Sequence, residues 1–365
     1  MNKIRYTKIH FVLFLISILF LNLELISSNA QTEMFINKIS TVGEAGEMGY
    51  DVSISGDYAY ITSNDGLDIV NIQDPYNPKK ITILEISHGA FGVFIKDDFA
   101  FIAAGGSGLV IADISDPTNP TILGQSSGHG IANSIYATDE YAFMTCYEDG
   151  LKIFDISSLS NPVKIADYFD SGRIDDVILV DDVAYLANTH LGVEVVNITT
   201  PSSPQRIRTF ASASGATGLS ISENLLFVGC YSSAVWILNI TNPTNPVQLG
   251  VHFDGDDGEA QGVVGNSTHV YVADYYGVEF LDISNVPQIT EIVERRQGVS
   301  SAHDIDFEGN FIYIAGGSHM TELTVFEVDS SQKSGSLGFY IGLPIAVVVA
   351  SISFWIIFRL RKKNA

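Results

Sequence analysis

The sequence predicts an all-β fold: a seven-bladed β-propeller of four-stranded blades, plus one C-terminal transmembrane helix. Three observations carry this reading. A short strand motif recurs seven times at a period of about 42 residues. Each period holds four β-branched or aromatic runs separated by turn residues, with no helical periodicity. An uncharged segment of 22 residues, Leu337 to Phe358, lies beyond the last repeat.

The first element is an export signal. Lys3, Arg5 and Lys8 precede an apolar run from Phe11 to Leu21 that only Ser17 interrupts, and Ser28-Asn29-Ala30 offers a small-residue cleavage site before Gln31. Residues 1–30 are therefore read as a signal peptide. A β segment at 34–40 follows, outside the repeat. It resembles the fourth run of the first repeat, Lys79 to Leu84, and the seventh repeat lacks a fourth run of its own. The segment is expected to close the ring as the missing strand of blade seven, which removes a free sheet edge.

The repeat itself is anchored on Asp57-Tyr58-Ala59-Tyr60-Ile61. Its equivalents centre on Ala100, Ala142, Ala184, Leu226, Val270 and Ile312, at steps of 41, 42, 42, 42, 44 and 42 residues. Repeats are expected to begin near 50, 91, 132, 175, 217, 261 and 303, within a propeller domain at 31–330. A second signature follows each anchor, as in Gly66-Leu67-Asp68-Ile69-Val70-Asn71-Ile72, and a Pro-containing turn such as Asp116-Pro117-Thr118-Asn119-Pro120 ends most third strands. The Asp or Asn at 71, 113, 155, 197, 239 and 282 stands at a strand end before the turn. Its side chain is expected to accept backbone N–H bonds there, a role in the fold. Four short strands per 40–45 residues is the arithmetic of a propeller blade.

After a linker at 331–336, the segment 337–358 is long enough, at 1.5 Å per residue, to span about 33 Å as a helix. Tyr340 and Trp355 sit near its ends, and the tail 359–365 carries Arg359, Arg361, Lys362 and Lys363. The expected topology is single-pass in the cell membrane, with the propeller extracellular and the basic tail cytoplasmic. The same segment also suits a sorting signal exchanged for a surface anchor, and in a eukaryote Lys362-Lys363-Asn364-Ala365 would match a retrieval signal.

The chain holds 19 basic and 42 acidic residues, a net charge of −23. Between 31 and 336 the balance is 12 basic to 41 acidic, because the two ends hold seven basic residues and one acidic residue. Such a surface excludes nucleic acid as a partner and favours cations. Cys146 and Cys230 occupy equivalent positions two blades apart. They are expected to be buried thiols, too distant for a bridge.

Leu109-Val110-Ile111-Ala112-Asp113, with the turn at 115–120, resembles the LVIVD repeat, and the resemblance extends over nearly all of 50–330. It is clearest in the first four repeats. It implies an exported bacterial or archaeal β-propeller of unassigned function, and it supplies no catalytic residues.

Candidate site residues follow from the fold. The first strands line the channel, and the loops leading into them share one face with the loops between second and third strands. That face gathers His88, His129, His190, His303 and His319 among many acids. Asp51, Asp176 and Asp304 occupy equivalent first-strand positions, where Gly or Ser holds the other four. A ring of carboxylates at the channel mouth would attract Ca2+ or a cationic ligand. The binding-face candidates are thus Asp51, Asp176, Asp304, His88, His129 and His303.

Asp254-Gly255-Asp256-Asp257-Gly258-Glu259 resembles part of a calcium loop, which makes Asp254, Asp256 and Glu259 candidate metal ligands, although the full EF-hand pattern is absent. No cofactor is required by any motif. Asn266 is the glycosylation candidate, since its sequon Asn266-Ser267-Thr268 lies in a turn expected to be more exposed than those of Asn197 and Asn239.

The function expected is a non-catalytic binding or scaffold module at the cell surface, with a cell-envelope protein or glycan as partner. The alternative is an extracellular hydrolase or lyase at the channel mouth, using His303, His129 and the three aspartates. A compact pocket with a histidine hydrogen-bonded to a carboxylate would favour the enzyme, and an open channel ringed by separated carboxylates would favour binding.

Overall fold

The computed structural model describes residues 35–329, apart from 44–47, 170, 233, 254–257, 275–276, 294–298, 300 and 317–322. The signal peptide at 1–30, the linker at 331–336, the apolar segment at 337–358 and the tail at 359–365 lie outside the described residues. Among the described residues no helix is long and apolar enough to cross a membrane.

The strands form seven four-stranded sheets, the blades of a β-propeller. Blade one shows the pattern: Gly49–Ser55, Tyr58–Ser63, Gly66–Asn71 and Lys79–Glu85 pair in chain order, each antiparallel to the next. The other first strands begin at Gly92, Ile135, Ile174, Ala216, Ala260 and Ala302, within three residues of the expected repeat starts. Blade seven takes Ala302–Glu308, Phe311–Gly316 and Leu323–Asp329 from the C-terminal side. Its fourth strand is Phe35–Val42, hydrogen-bonded beside Leu323–Asp329. First strands of successive blades touch one another around the whole ring, including blade seven against blade one.

Apolar side chains on both faces of each sheet produce this ring. In blade one, Tyr60, Leu67 and Ile69 pack against Val93, Ala100 and Ile102 of blade two, while Val52, Ile61 and Val70 pack against Tyr313 and Val325 of blade seven. Each large aliphatic side chain buried this way contributes about 1.5–3 kcal/mol. Trp236 fills the seam between blades four and five, edge-on to Phe210 at 5.7 Å. Cys146 and Cys230 are buried free thiols, as expected.

The turns after the third strands are built as their residues imply. Asn71, Asp113, Asp155, Asn197, Asn239 and Asp282 each accept the backbone N–H two residues on, at 2.8–3.1 Å. The oxygen of Asn266 likewise accepts the N–H groups of Thr268 and His269. Asn266 is half-buried like Asn239, whereas Asn197 is exposed, so the expected order of exposure is reversed against Asn197 alone.

Candidate functional site

The site is built from the first strands. A bulge near the start of this strand in blades one, four, five, six and seven shifts the register, as between Ala302 and Asp304. The extra residue re-aims the side chains that follow. Two tiers result. The mouth tier is Tyr50, Phe91, Asn133, Asp175, Thr217, Gln261 and His303, one residue from each blade. The tier beneath holds Asp51, Asp176 and Asp304 with Ser134, and glycine at 92, 218 and 262. Deeper still lie Phe94, Tyr136, Ile178, Ser220, Val264 and Asp306. The channel they enclose measures about 570 Å³.

The glycines are required by close approach. A Cβ at Gly218 would overlap the Gln261 carbonyl oxygen of the next blade, and one at Gly262 would stand 2.6 Å from Asp304 Oδ1. First strands therefore converge at this tier, with Gly218 against the backbone of the next blade and Gly262 against Asp304.

Each aspartate bonds the next blade. Asp51 Oδ2 accepts the Val93 N–H at 2.6 Å, Asp176 Oδ2 the Leu219 N–H at 2.8 Å, and Asp304 Oδ2 the Val52 N–H at 3.1 Å. Asp306 Oδ2 accepts the Ile54 N–H at 2.8 Å, a second bond across the seam between blades seven and one. Ser134 Oγ donates to Asp176 Oδ1 at 2.5 Å.

Burial pushes the Asp176 carboxyl up to about 6 and that of Asp306 up to about 7. Asp51 and Asp304 are both raised by burial, Asp304 well above the usual carboxylate range because the Asp51 charge beside it adds to the rise. Two neighbouring buried carboxyls resist carrying two charges at once. The expectation of an open ring of ionised carboxylates at the mouth is therefore corrected. These groups lie one tier down, half-buried, and are occupied in joining blades.

The histidines separate. His303 lines the channel, its Nδ1 2.7 Å from Gln261 Oε1, and burial lowers its pKa. His129 is not among the channel-lining residues. Its Nε2 is 3.0 Å from Ser126 Oγ, and its ring lies edge-on to Phe154 at 5.3 Å. The acid–base group of the alternative reading, His129 with His303 and the aspartates at the channel, is thus not assembled, because the loop leading into blade three carries His129 outside the channel lining. His88 is exposed beside Ser107, with Nδ1 3.3 Å from its Oγ. Asp254, Asp256 and His319 lie outside the described residues. Glu259 is described, and it accepts a bond from Gln261 Nε2 at 3.2 Å, while Gln261 Oε1 meets His303.

The sequence reading missed a cationic group at the mouth. Arg173 lies 4.2 Å from the centre of the Tyr147 ring, and its Nε donates to Asp175 Oδ1 at 2.5 Å. Burial pushes Asp175 up to about 6 against the pull of Arg173. Arg173 and Tyr231 line both the channel and an adjoining cavity of about 750 Å³, together with Glu148, Phe169 and His190. A lone arginine in a loop carries no spacing signal; only the meeting of blades three, four and five exposes its role. Tyr50, which lies 4.8 Å from Phe91 and 5.9 Å from His303 between ring centres, was hidden for the same reason.

The sheets and this two-tiered channel define the class: a seven-bladed β-propeller whose central acids fasten the ring and whose mouth is lined by aromatic and polar side chains. The model of the LVIVD repeat matches residues 46–84, 89–126, 129–170, 214–251 and 300–334, and the chain belongs to the LVIVD repeat family. Blade four is unmatched and blade five matched, although the motif had read as clearer in the fourth repeat.

No curated protein matches the chain. Among solved structures, the β-propeller domain of Myceliophteria thermophila Cps50 (Swd1) is similar at 12% identity, covering 81% of this chain and 100% of that one, with a TM-score of 0.65. The WD40 β-propeller domain of Doa1 is similar at 10% identity, covering 82% and 98%, with a TM-score of 0.61. The computationally designed Ika8 protein is similar at 10% identity, covering 80% and 99%, with a TM-score of 0.57. At these identities the likeness speaks for the fold alone.

Proposed function

We propose that this protein is a non-catalytic binding module, held at the outer face of the cell membrane by its C-terminal segment, that receives a cell-envelope protein or glycan at the channel mouth. One observation carries the reading. His303 bonds the Gln261 amide, not a carboxylate, and the nearby channel acids Asp51, Asp176 and Asp304 are committed to neighbouring backbones. Proton transfer needs a base and an acid poised toward a substrate. The mouth sets the Tyr50 and Phe91 rings beside His303, whose Nε2 has no partner among the described residues, and braces Arg173 with Tyr147 and Asp175. Rigid aromatic faces next to amides and fixed charges suit recognition, since little side-chain entropy is lost on binding.

The location rests on the sequence: a signal at 1–30, an apolar segment at 337–358 and a basic tail after it. A calcium ion on Asp254, Asp256 and Glu259 is part of the same proposal and would sit beside the mouth, where Glu259 meets Gln261.

The full-length chain in its own membrane tests this reading. Protease added to intact cells should cleave the propeller and spare the C-terminal tail. Envelope material captured by the chain should be lost from a Tyr50→Ala/His303→Ala variant, and partly lost in EDTA if calcium supports the mouth. A propeller protected in intact cells, or capture indifferent to both residues, contradicts it.

A further inference from the structure

The same third-strand position carries an ionisable side chain in blades one, three, four and six: Asp68, Lys152, Glu194 and Glu279, all buried. A charge in such a place needs a partner. Blade one supplies Lys80, whose Nζ is 2.8 Å from Asp68. Blade three supplies Asp167, 2.8 Å from Lys152 Nζ. In blade four the two oxygens of Glu194 accept from Tyr168 at 2.6 Å and Asn188 at 2.7 Å. Blade six differs. Glu279 Oε1 lies 2.8 Å from His252 Nε2 of blade five, without the alignment of a hydrogen bond. Histidine, unlike lysine, brings no permanent positive charge. A second carboxylate, that of Glu291 on the fourth strand of blade six, faces the same spot: one ligand atom from each of His252, Glu279 and Glu291 lies within 4.8 Å of the others.

We propose that His252, Glu279 and Glu291 form a binding site for a divalent transition-metal ion of the Zn2+ type, which clamps the outer strand of blade five to blade six. One imidazole nitrogen and two carboxylate oxygens are a zinc-type set, and a nitrogen ligand disfavours Ca2+ and Mg2+, which take oxygen. Tetrahedral coordination at about 2.0–2.2 Å sets ligand atoms about 3.4 Å apart, so the His252–Glu279 pair opens slightly while the third carboxylate settles at a similar distance. Glu291 is exposed and can make that movement, while Glu279 is held in the core. Three protein ligands leave the fourth position to water. The site is distinct from the channel and does not depend on the binding role proposed for the mouth.

Titration of the metal-stripped full-length protein with Zn2+ in detergent tests the site. The expected result is one equivalent bound, with a rise in Tm that Ca2+ does not reproduce. Glu291→Gln and His252→Gln should each weaken Zn2+ binding at least about tenfold, or about 1.4 kcal/mol. Glu85→Gln, a change of an exposed acid on the outer strand of blade one, should leave it unchanged. Because Glu291 is exposed, its variant should keep the metal-free Tm of the parent, so the test stands even if His252→Gln misfolds. No saturable Zn2+ binding, binding unaltered by Glu291→Gln, or equal competition by Ca2+ would overturn the proposal.

Discussion

Asp304 of blade seven stands beside Asp51 of blade one across the seam where the ring closes, and each carboxyl accepts a backbone N–H from the blade that follows it. The last blade is thus tied to the first by its outer strand, Phe35–Val42, and by the bonds of Asp304 and Asp306 to the Val52 and Ile54 N–H groups at its inner strand.

The pH dependence of stability follows from this. The folded pKa values of Asp176, Asp306 and the Asp51–Asp304 pair are raised, so the folded state holds more protons than the unfolded chain between about pH 4 and 7. Their contribution is full below the unfolded value and is lost as pH rises through about 6 to 7. Thermal melts should show Tm falling between pH 5 and 8, by about 2–4 °C for each kcal/mol lost. A Tm that climbs over this range would count against the carboxyl arrangement.

Asp304→Asn should flatten that slope. An amide can still accept the Val52 N–H and places no second charge beside Asp51. At pH 8 the variant should equal or exceed the parent in Tm, and the gap should close toward pH 5. Asp304→Ala, which leaves the Val52 N–H without its acceptor, should instead cost about 1–3 kcal/mol in denaturant unfolding.

Gly218→Ala should be destabilising, although it adds only a methyl group. Its Cβ would meet backbone, the Gln261 carbonyl, which cannot swing aside. A loss of about 1–3 kcal/mol is expected from denaturant unfolding, as for an overpacked core.

Cys146 and Cys230 should resist alkylation in the folded protein. Burial pushes both thiols up to about 12, so almost no thiolate forms at pH 8. Mass spectrometry should find both unmodified by iodoacetamide in buffer and fully modified in denaturant.

Some of this was legible in sequence because it is local or repeated. The strand pattern recurs every 42 residues or so, and the Asp or Asn of each third strand acts on a backbone two residues away, so neither needs the tertiary fold to be recognised. The equivalence of Asp51, Asp176 and Asp304 was also readable, as was the glycine or serine at the other four positions. Their task was not. Their acceptors' partners, the N–H groups of Val93, Leu219 and Val52, belong to neighbouring blades, and nothing in the spacing tells a ligand-facing carboxylate from one that ties strands together. His129 misled because loop membership does not fix direction: its chain turns toward Phe154 and away from the channel. Arg173 and Tyr147 come from consecutive blades, and their stacking exists only once the ring has formed.

The most direct measurement is the capture of envelope material by the full-length chain, comparing the parent with Tyr50→Ala/His303→Ala and with Asp304→Asn. The account expects capture to be lost with the mouth pair and kept with Asp304→Asn, since the lower tier serves the ring. Capture lost with Asp304→Asn and kept with the mouth pair would contradict it, and would return the channel acids to the role of ligand-binding groups.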